Sequence, residues 1–143
     1  MLRGASPGAL AKQWGIMIAG GEKEITVLLV DDEAGFVETL ARRLGRRGLA
    51  VRTALSGPVA LEVLQQSQVA VVVLDLKMAG MDGLATLEQI KARHPGLPVI
   101  LLTGHGSLES LQDIIRLGAY DYLSKPCDLE TLLERIQSAA GVG

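Results

Sequence analysis

The sequence predicts an α/β domain built on a doubly wound parallel sheet of five strands, in the order 2-1-3-4-5. Short apolar runs alternate with segments of helical periodicity, and this alternation is typical of βαβ units with helices on both faces of a sheet. The run over residues 69–74 is rich in β-branched valine, as a strand buried on both faces requires. With 143 residues and an apolar content of 48%, the chain has the size and composition of one well-packed domain.

Each predicted strand is a short run rich in apolar residues, bounded by polar or glycine-containing turn segments. The five runs cover residues 25–30, 50–54, 69–74, 98–102 and 119–123. Because a helix fits between each pair of runs with only short loops left over, we expect parallel strands joined by right-handed crossovers.

Five helices are predicted from apolar residues at helical spacing and from the capping residues around them. The first three span about residues 34–47, 57–66 and 83–94, and the others follow the fourth and fifth strands. The expected caps are Ser56, Asp82, Ser107 and Asp128 at N-termini, with Gly48 and Gly118 at C-termini. The inward faces are assigned to Val37, Leu40, Ala41 and Leu44; Val59, Ala60, Val63 and Leu64; Leu84, Leu87 and Ile90; Leu111, Ile114 and Ile115; and Leu129, Leu132, Leu133 and Ile136.

Residues 24–140 are assigned to this domain, between an N-terminal extension and a short tail at residues 141–143. Residues 1–23 are rich in glycine and lack a sustained period, so we expect a poorly ordered extension. It holds the only tryptophan, Trp14, to which the sequence assigns no function.

Composition excludes several classes of function. The chain has 14 basic and 16 acidic side chains, which argues against a nucleic-acid surface, and the arginines at positions 42, 43, 46 and 47 are interpreted as a solvated helix face. No apolar run approaches the roughly 20 residues of a membrane span, and no signal peptide is recognisable. The single cysteine, Cys127, cannot form an internal disulfide and is interpreted as a packing residue, which favours a reducing, cytoplasmic location.

Polar side chains follow several of the predicted strands at the point where each strand ends. Asp31 and Asp32 follow the first strand, Asp75 the third, Thr103 the fourth, and Lys125 lies just after the fifth. The carboxyl ends of parallel strands meet at one edge of the sheet, and the strand order reverses between the first and third strands. We therefore expect these five residues to converge on one rim.

Three carboxylates on one rim repel each other by about 4 kcal/mol per close pair at an effective dielectric of 20, so the site calls for a cation. An all-oxygen site with room for water and phosphate oxygens suits Mg²⁺. Lys125 would add a fixed positive charge. A metal ion and an ammonium group around one carboxylate favour phosphoryl transfer onto that carboxylate, with Asp75 as the nucleophile.

Four motifs carry a resemblance to a known family. They are Asp31-Asp32, DLKMAGMDG headed by Asp75, LLTGHGS with Thr103, and YDYLSKPCD with Tyr122 and Lys125. Over residues 25–140 they resemble, in order and spacing, the receiver domain of bacterial two-component response regulators, a (βα)5 sandwich of flavodoxin-like fold. The residues of the last two motifs are most similar to those of receivers of nitrogen-regulator type. The chain stops at Gly143, which leaves open a stand-alone receiver or a receiver excised from a longer regulator.

The resemblance implies a role for each motif residue. Asp75 would accept a phosphoryl group from a phosphohistidine of a sensor histidine kinase or phosphotransfer protein. Asp32 and Asp75 would ligate Mg²⁺ together with the Lys77 carbonyl, and Asp31 would act through metal-bound water. Thr103 and Lys125 would each contact a phosphoryl oxygen.

Further implications concern switching and output. Tyr122 would rotate with Thr103 on phosphorylation, and Lys77 and His105 would tune the lifetime of the phosphoryl group. Output would pass through residues 107–140 (Ser107 to Ala140) to an effector or a second copy. Such a protein is not an enzyme beyond catalysing its own phosphorylation and dephosphorylation. Ala79 stands where many relatives have proline, so the loop loses some rigidity. The expected loss of stability, through the unfolded chain, is about 0.4 to 1 kcal/mol.

Other classes of protein share some of these features. A phosphatase of the haloacid-dehalogenase type needs an aspartate two positions after the nucleophile, where this chain has Lys77. A flavin carrier of the same strand order is disfavoured by the acidic first loop and an aromatic content of 3%. Asp31, Asp32 and Glu33 taken alone could stabilise a helix N-terminus, and Tyr122 taken alone could be a core residue. A degenerate receiver acting only as a protein-binding scaffold remains the alternative.

Overall fold

The computed structural model describes residues 24–78, 83–104 and 111–141, including the side chains of all of these except 111–113. Strands and helices alternate along it without exception. They are β1 (Thr26–Val30), α1 (Ala34–Arg46), β2 (Ala50–Ala54), α2 (Gly57–Gln66), β3 (Val71–Asp75), α3 (Gly83–Arg93), β4 (Val99–Thr103), α4 (Leu111–Arg116), β5 (Asp121–Ser124) and α5 (Leu129–Ala139).

The five strands form one parallel sheet in the order β2-β1-β3-β4-β5, which confirms the predicted fold class and strand order. In the register of the sheet, Val30 pairs with Leu74 across β1 and β3, and Asp75 pairs with Leu102 across β3 and β4. The carboxyl ends of β1 and β3 are therefore adjacent, on either side of the point where the chain reverses its direction of winding.

Both faces of the sheet are covered by helices. Every residue of β3 and β4 is buried, and their alternating side chains enter two separate cores. One core joins the sheet to α2, α3 and α4 through residues such as Leu64, Ile90 and Ile114. The other joins it to α1 and α5 through residues such as Leu44 and Ile136. Strands buried on both faces in this way need continuous apolar sequence, which is why the valine-rich run was the clearest strand signal.

Three strands reach further toward the polar rim than the apolar runs indicate. β3 occupies Val71–Asp75 rather than 69–74, β4 occupies Val99–Thr103 rather than 98–102, and β5 occupies Asp121–Ser124 rather than 119–123. The reason is that backbone pairing sets a strand's end: Thr103 still pairs with Ser124 although both side chains are polar.

The helix caps agree with expectation where the structure describes them. Ser56 Oγ accepts the Val59 N–H at 3.3 Å, and an Asp128 carboxylate oxygen accepts the Thr131 N–H at 2.9 Å. Gly48 follows α1 with a φ of 94°, a conformation that glycine adopts without strain. The expected caps Asp82 and Ser107, and residues 1–23 with Trp14, lie outside the described residues.

Two inward assignments were wrong. Ile115 is 73% exposed and Val59 is 42% exposed, whereas their neighbours Ile114 and Ala60 are buried. Adjacent positions on a helix are 100° apart, so a helix against a sheet buries one stripe and turns the flanking apolar residue outward. Cys127 packs partly buried against the α1–α5 core, as expected of a packing residue, and burial raises the pKa of its thiol.

Candidate functional site

Three carboxylates meet where β1 and β3 end. Asp31, Asp32 and Asp75 each offer an oxygen atom, and these atoms lie within 4.8 Å of one another. Asp31 is 3% exposed and Asp75 is 5% exposed, whereas Asp32 faces solvent. At such separations two ionised carboxylates repel by about 3 to 4 kcal/mol at an effective dielectric of 20. The cluster thus combines buried acceptors with one carboxylate that is open to the solution.

Backbone amides orient the two buried carboxylates. Asp31 Oδ1 accepts the N–H of Glu33 at 3.0 Å, and Asp75 Oδ1 accepts the N–H of Lys77 at 3.2 Å. Each of these contacts spans two residues, the local bond by which an aspartate stabilises the turn that leaves its strand. One oxygen of each carboxylate is held in this way, and the Oδ2 atom of each lies toward a common cation, the Lys125 ammonium.

Lys125 brings a positive charge to the cluster from the far edge of the sheet. Its Nζ atom lies 2.7 Å from Asp31 Oδ2, 3.6 Å from Asp75 Oδ2 and 3.9 Å from Glu33 Oε1. The Lys125 backbone N–H donates to the Thr103 carbonyl at 2.7 Å, which fixes the start of the loop after β5. Although Lys125 lies far from Asp31 in the chain, the parallel sheet places the ends of β1 and β5 on one rim.

Burial and charge shift two pKa values at this rim. Burial raises the pKa of the Asp75 carboxyl above its ordinary value, because desolvation outweighs the Lys77 N–H bond and the charge of Lys125. Burial alone would lower the pKa of Lys125, but the hydrogen bond to Asp31 and the surrounding carboxylates outweigh it and raise that pKa. Lys125 is therefore a permanent cation at physiological pH.

Thr103 ends β4 beside the cluster, and Tyr122 lies on the neighbouring strand β5. The Thr103 side chain is 2% exposed, and its hydroxyl donates to the Leu123 carbonyl at 3.4 Å. Tyr122 is half-buried and packs against the core that contains α2, α3 and α4. A cavity of about 370 Å³ opens over the rim and is lined by Asp32, Glu33, Asp75, Lys77, Gly104 and Lys125. Its size admits a phosphoryl group and its water shell.

The structure brings together most of the predicted site residues. Asp31, Asp32, Asp75 and Lys125 form one cluster, Lys77 lines the cavity above it, and Thr103 lies at the adjacent strand end. His105 lies outside the described residues. Sequence reasoning did not assign Glu33 or Phe36 to the site, although both contact Lys125. Glu33 extends the acidic run of Asp31 and Asp32, whereas Phe36 carries no signal apart from being the single phenylalanine.

Fold and site define a class of protein: a parallel α/β domain with an acidic cluster and a lysine at the carboxyl edge of its sheet. The family profile of the response regulator receiver domain matches residues 27–137. The chain belongs to that family. Receiver domains act in two-component signal transduction, where they take phosphoryl groups from histidine kinases and bind Mg²⁺ at their acidic cluster.

Relatives of nitrogen-regulator type are among the similar proteins. The chain is 41% identical over 113 residues to the DNA-binding transcriptional regulator NtrC of Escherichia coli K12, covering 79% of this chain and 24% of that protein. It is 37% identical over 121 residues to a putative NtrX-like response regulator of Rickettsia felis, covering 83% of this chain and 26% of the relative. The chain thus spans about a quarter of the length of these relatives.

Solved structures agree with the fold. The receiver domain of NtrX from Brucella abortus is 36% identical with a TM-score of 0.76, and the match covers 82% of this chain and 99% of that one. A receiver domain protein from Clostridium thermocellum is 32% identical with a TM-score of 0.78, covering 82% and 94% of the two chains. Within the described residues, no helix has the length and apolarity needed to cross a membrane.

Proposed function

We propose that this chain accepts a phosphoryl group on Asp75 from the phosphohistidine of a sensor kinase or phosphotransfer protein, and that phosphorylation changes its conformation. The observation that carries this proposal is the setting of Asp75. Its carboxylate is buried, one oxygen is held by the Lys77 N–H, and the other lies 3.6 Å from the Lys125 ammonium beneath an open cavity. This orientation leaves one oxygen of the nucleophile available for in-line attack on the donor phosphorus.

Mg²⁺ is the metal that we assign to the site. The donors are carboxylate oxygens, which suit a hard cation, and the exposed Asp32 beside the buried Asp75 provides an entry path. We assign Asp32, Asp75 and the Lys77 carbonyl as ligands, and Asp31 as a ligand through water. When bound, the ion neutralises charge that develops on the phosphoryl oxygens.

The transfer itself is a displacement at phosphorus. Asp75 Oδ2 forms the new O–P bond while the P–N bond of the donor phosphohistidine breaks, and the bonding pair leaves with the imidazole. Lys125 stabilises the negative charge on one equatorial oxygen. The Thr103 hydroxyl donates to another, and to do so it must leave the Leu123 carbonyl that it contacts in this structure.

Conformational output follows from the movement of Thr103. A phosphoryl group on Asp75 adds charge and three acceptor oxygens close to β4, which draw the Thr103 hydroxyl toward the rim. Tyr122, one position before Leu123, then turns from its half-buried position into the space behind β4. The surface that changes comprises α4, β5 and α5, within residues 107–140, where an effector or a second copy would bind.

The protein is a signalling protein, and the only reaction that we assign to it is its own phosphorylation and dephosphorylation. Its partner is the phosphohistidine protein, and we assign it neither nucleic acid nor a membrane as a partner of this domain. A cytoplasmic location belongs to the same proposal, because the kinase phosphohistidine is formed where ATP is available.

The test is intact-mass measurement after incubation with Mg²⁺ and acetyl phosphate. We expect one phosphate adduct that is stable in acid and labile in base, as an acyl phosphate is. Asp75→Asn should give no adduct, whereas Asp128→Asn, which changes an exposed capping aspartate of α5, should give as much as the parent. Absence of an adduct on the parent would favour the degenerate receiver, a scaffold without phosphorylation.

Metal binding is tested separately by titration of Mg²⁺ followed through amide NMR signals. We expect Asp32→Ala to weaken binding because it removes the carboxylate that meets the incoming ion. Binding as tight as that of the parent would refute the metal assignment.

A further inference from the structure

Phe36 is an aromatic residue whose placement is not explained by packing. It lies in the first turn of α1 and is 37% exposed, whereas the next residue, Val37, is 3% exposed and belongs to the core. The Phe36 ring lines a groove of about 230 Å³ between α1 and α5, together with the Lys125 side chain. A large apolar side chain at this boundary buries only part of its surface, so burial alone does not account for its position.

The ring faces the charged end of Lys125. The Lys125 Nζ atom lies 4.3 Å from the centroid of the Phe36 ring, within the distance at which a ring face attracts a cation. Among the described residues, the other contacts of the ammonium are carboxylates, with Asp31 nearest at 2.7 Å and Asp75 at 3.6 Å. Lys125 is thus held by two different kinds of group: ionised oxygens and a neutral aromatic face.

These two kinds of contact respond differently to a divalent cation. A metal ion on the carboxylates neutralises their charge and weakens their hold on Lys125, since both cations compete for the same oxygens. The aromatic face carries no net charge and lies outside the acidic cluster, so its attraction for the ammonium persists. The contact is therefore strongest, relative to the others, in the state that is ready for phosphoryl transfer.

We propose that Phe36 is a positioning residue, whose ring face keeps the Lys125 ammonium at the rim beside Asp75 while a divalent cation occupies the carboxylates. This inference rests on the proposed function, because it assigns Lys125 to the incoming phosphoryl group. Its consequence is specific: weakening the ring face slows phosphorylation without weakening metal binding.

The sequence offers an unusually clean test, because Phe36 is the only phenylalanine in the chain. Producing the full chain with 4-fluoro-, 3,5-difluoro- and pentafluorophenylalanine therefore alters this ring alone. Fluorine withdraws electron density from the ring face and changes its shape little. The rate of adduct formation with Mg²⁺ and acetyl phosphate should fall stepwise along the series, by roughly 2- to 30-fold in total. Mg²⁺ affinity should stay close to that of the parent.

Two further measurements keep the outcome decisive. With the ammonium 4.3 Å from the ring centroid, ring currents should shift the Lys125 ε-methylene protons in the unphosphorylated protein. Phe36→Leu should abolish that shift, and Phe36→Tyr should preserve it. Thr39→Ala changes a residue of the same groove and serves as the control, with rate and shift unaltered. Phe36→Tyr should keep most of the parent rate, and Phe36→Leu should be slower than the parent but no slower than the pentafluorophenylalanine protein, whose ring face no longer attracts a cation.

Equal rates along the fluorinated series, on a parent that does form the adduct, would overturn the inference. So would a loss of rate in Phe36→Tyr equal to that in Phe36→Leu, since shape and not the ring face would then matter. A parent without any adduct would refute the proposed function instead, and the proton shifts of Lys125 would still show whether the ring holds the ammonium.

Discussion

Lys125 is paired more closely with Asp31 than with Asp75. Its Nζ atom is 2.7 Å from Asp31 Oδ2 and 3.6 Å from Asp75 Oδ2, and the Asp31 carboxylate is almost fully buried. A cation that sits between two carboxylates offsets part of their mutual repulsion. The same ammonium would compete with a divalent ion bound at those oxygens.

We therefore expect Lys125→Ala to bind Mg²⁺ more tightly than the parent, by about 10-fold for each 1.4 kcal/mol of competing interaction removed. Phosphorylation by acetyl phosphate should nevertheless slow, because the charge that stabilises the phosphoryl oxygens is gone. Calorimetric titration and intact mass measure the two effects. Lys91→Ala removes a lysine that contacts the Leu97 carbonyl away from the rim, and should change neither. Weaker Mg²⁺ binding in Lys125→Ala would contradict the competition.

The raised pKa of Asp75 predicts a pH-dependent stability. A carboxyl with a higher pKa in the folded than in the unfolded chain favours folding below the unfolded pKa of about 3.9, and this contribution is lost as the pH rises through the folded pKa. At pH 7 and without divalent cations, Asp75→Asn should accordingly melt at a higher temperature than the parent. The difference should shrink toward pH 4.

Thermal unfolding followed by circular dichroism across this range measures the effect. Added Mg²⁺ should stabilise the parent and not Asp75→Asn, since a ligand stabilises only the form that binds it. The control Asp128→Asn should show no gain in melting temperature at pH 7. Hydrogen bonds from Thr131 lower the pKa of Asp128, so its ionised carboxylate favours the folded chain at that pH. A parent that is more stable than Asp75→Asn at pH 7 without metal would count against desolvation as the main cause.

Gly83 allows α3 to start directly against the strand that carries Asp75. A Cβ atom there would lie 2.7 Å from the Asp75 carbonyl oxygen and even nearer the Leu76 backbone, and backbone atoms cannot move aside easily. Gly83→Ala should destabilise the fold by about 1 to 3 kcal/mol through overpacking and should weaken Mg²⁺ binding. Urea unfolding and metal titration are the measurements.

The matched control is Gly45→Ala, a glycine in the last turn of α1 where a Cβ would meet nothing within 4 Å. It should stabilise the protein by up to about 0.5 kcal/mol and leave metal binding unchanged. Similar effects of the two substitutions would show that the close approach at Gly83 does not shape the site.

The Lys77 side chain is where we expect a substitution to change the lifetime of a phosphoryl group on Asp75 without changing Mg²⁺ binding. Its side chain is exposed over the cavity, whereas its contact with Asp75 is made by the backbone N–H and survives any side-chain change. Lys77→Ala, alone or with His105→Ala, should alter the rate of dephosphorylation because water then reaches Asp75 by a different path. Mg²⁺ affinity should stay nearly constant. Identical decay rates, followed by mass after the donor is removed, would exclude Lys77 from this role.

In the proposed mechanism the Thr103 hydroxyl links the rim to the output surface. In the parent, beryllofluoride with Mg²⁺ should shift amide signals beyond the rim, over residues 114–140 and including Tyr122. Thr103→Val keeps the shape of the side chain but cannot donate, so the shifts should stay close to Asp31 and Asp75. The free energy of unfolding of Thr103→Val should differ from that of the parent by less than about 1.5 kcal/mol, since the lost hydrogen bond to the Leu123 carbonyl is long at 3.4 Å. A silent Tyr122 in the parent would mean that the site binds phosphate without transmitting it.

The sequence by itself determined the alternation of strands and helices, the strand order and the chemical identity of the rim. Continuous valine-rich runs are needed only where a strand is buried on both faces. In any parallel sheet, the residues that follow the strands meet at the same edge. Asp31, Asp75, Thr103 and Lys125 could therefore be assigned from position alone.

Only the tertiary structure decided the distances between side chains of different elements and which side of each helix is buried. Three features depend on how separate elements are placed against each other. Lys125 lies nearer to Asp31 than to Asp75, Phe36 covers the Lys125 ammonium, and Ile115 points outward. Residue spacing along one helix or strand contains no information about the rotation of that element relative to its neighbours. Packing of two cores on the two faces of the sheet sets that rotation, because each helix turns until its apolar stripe is buried.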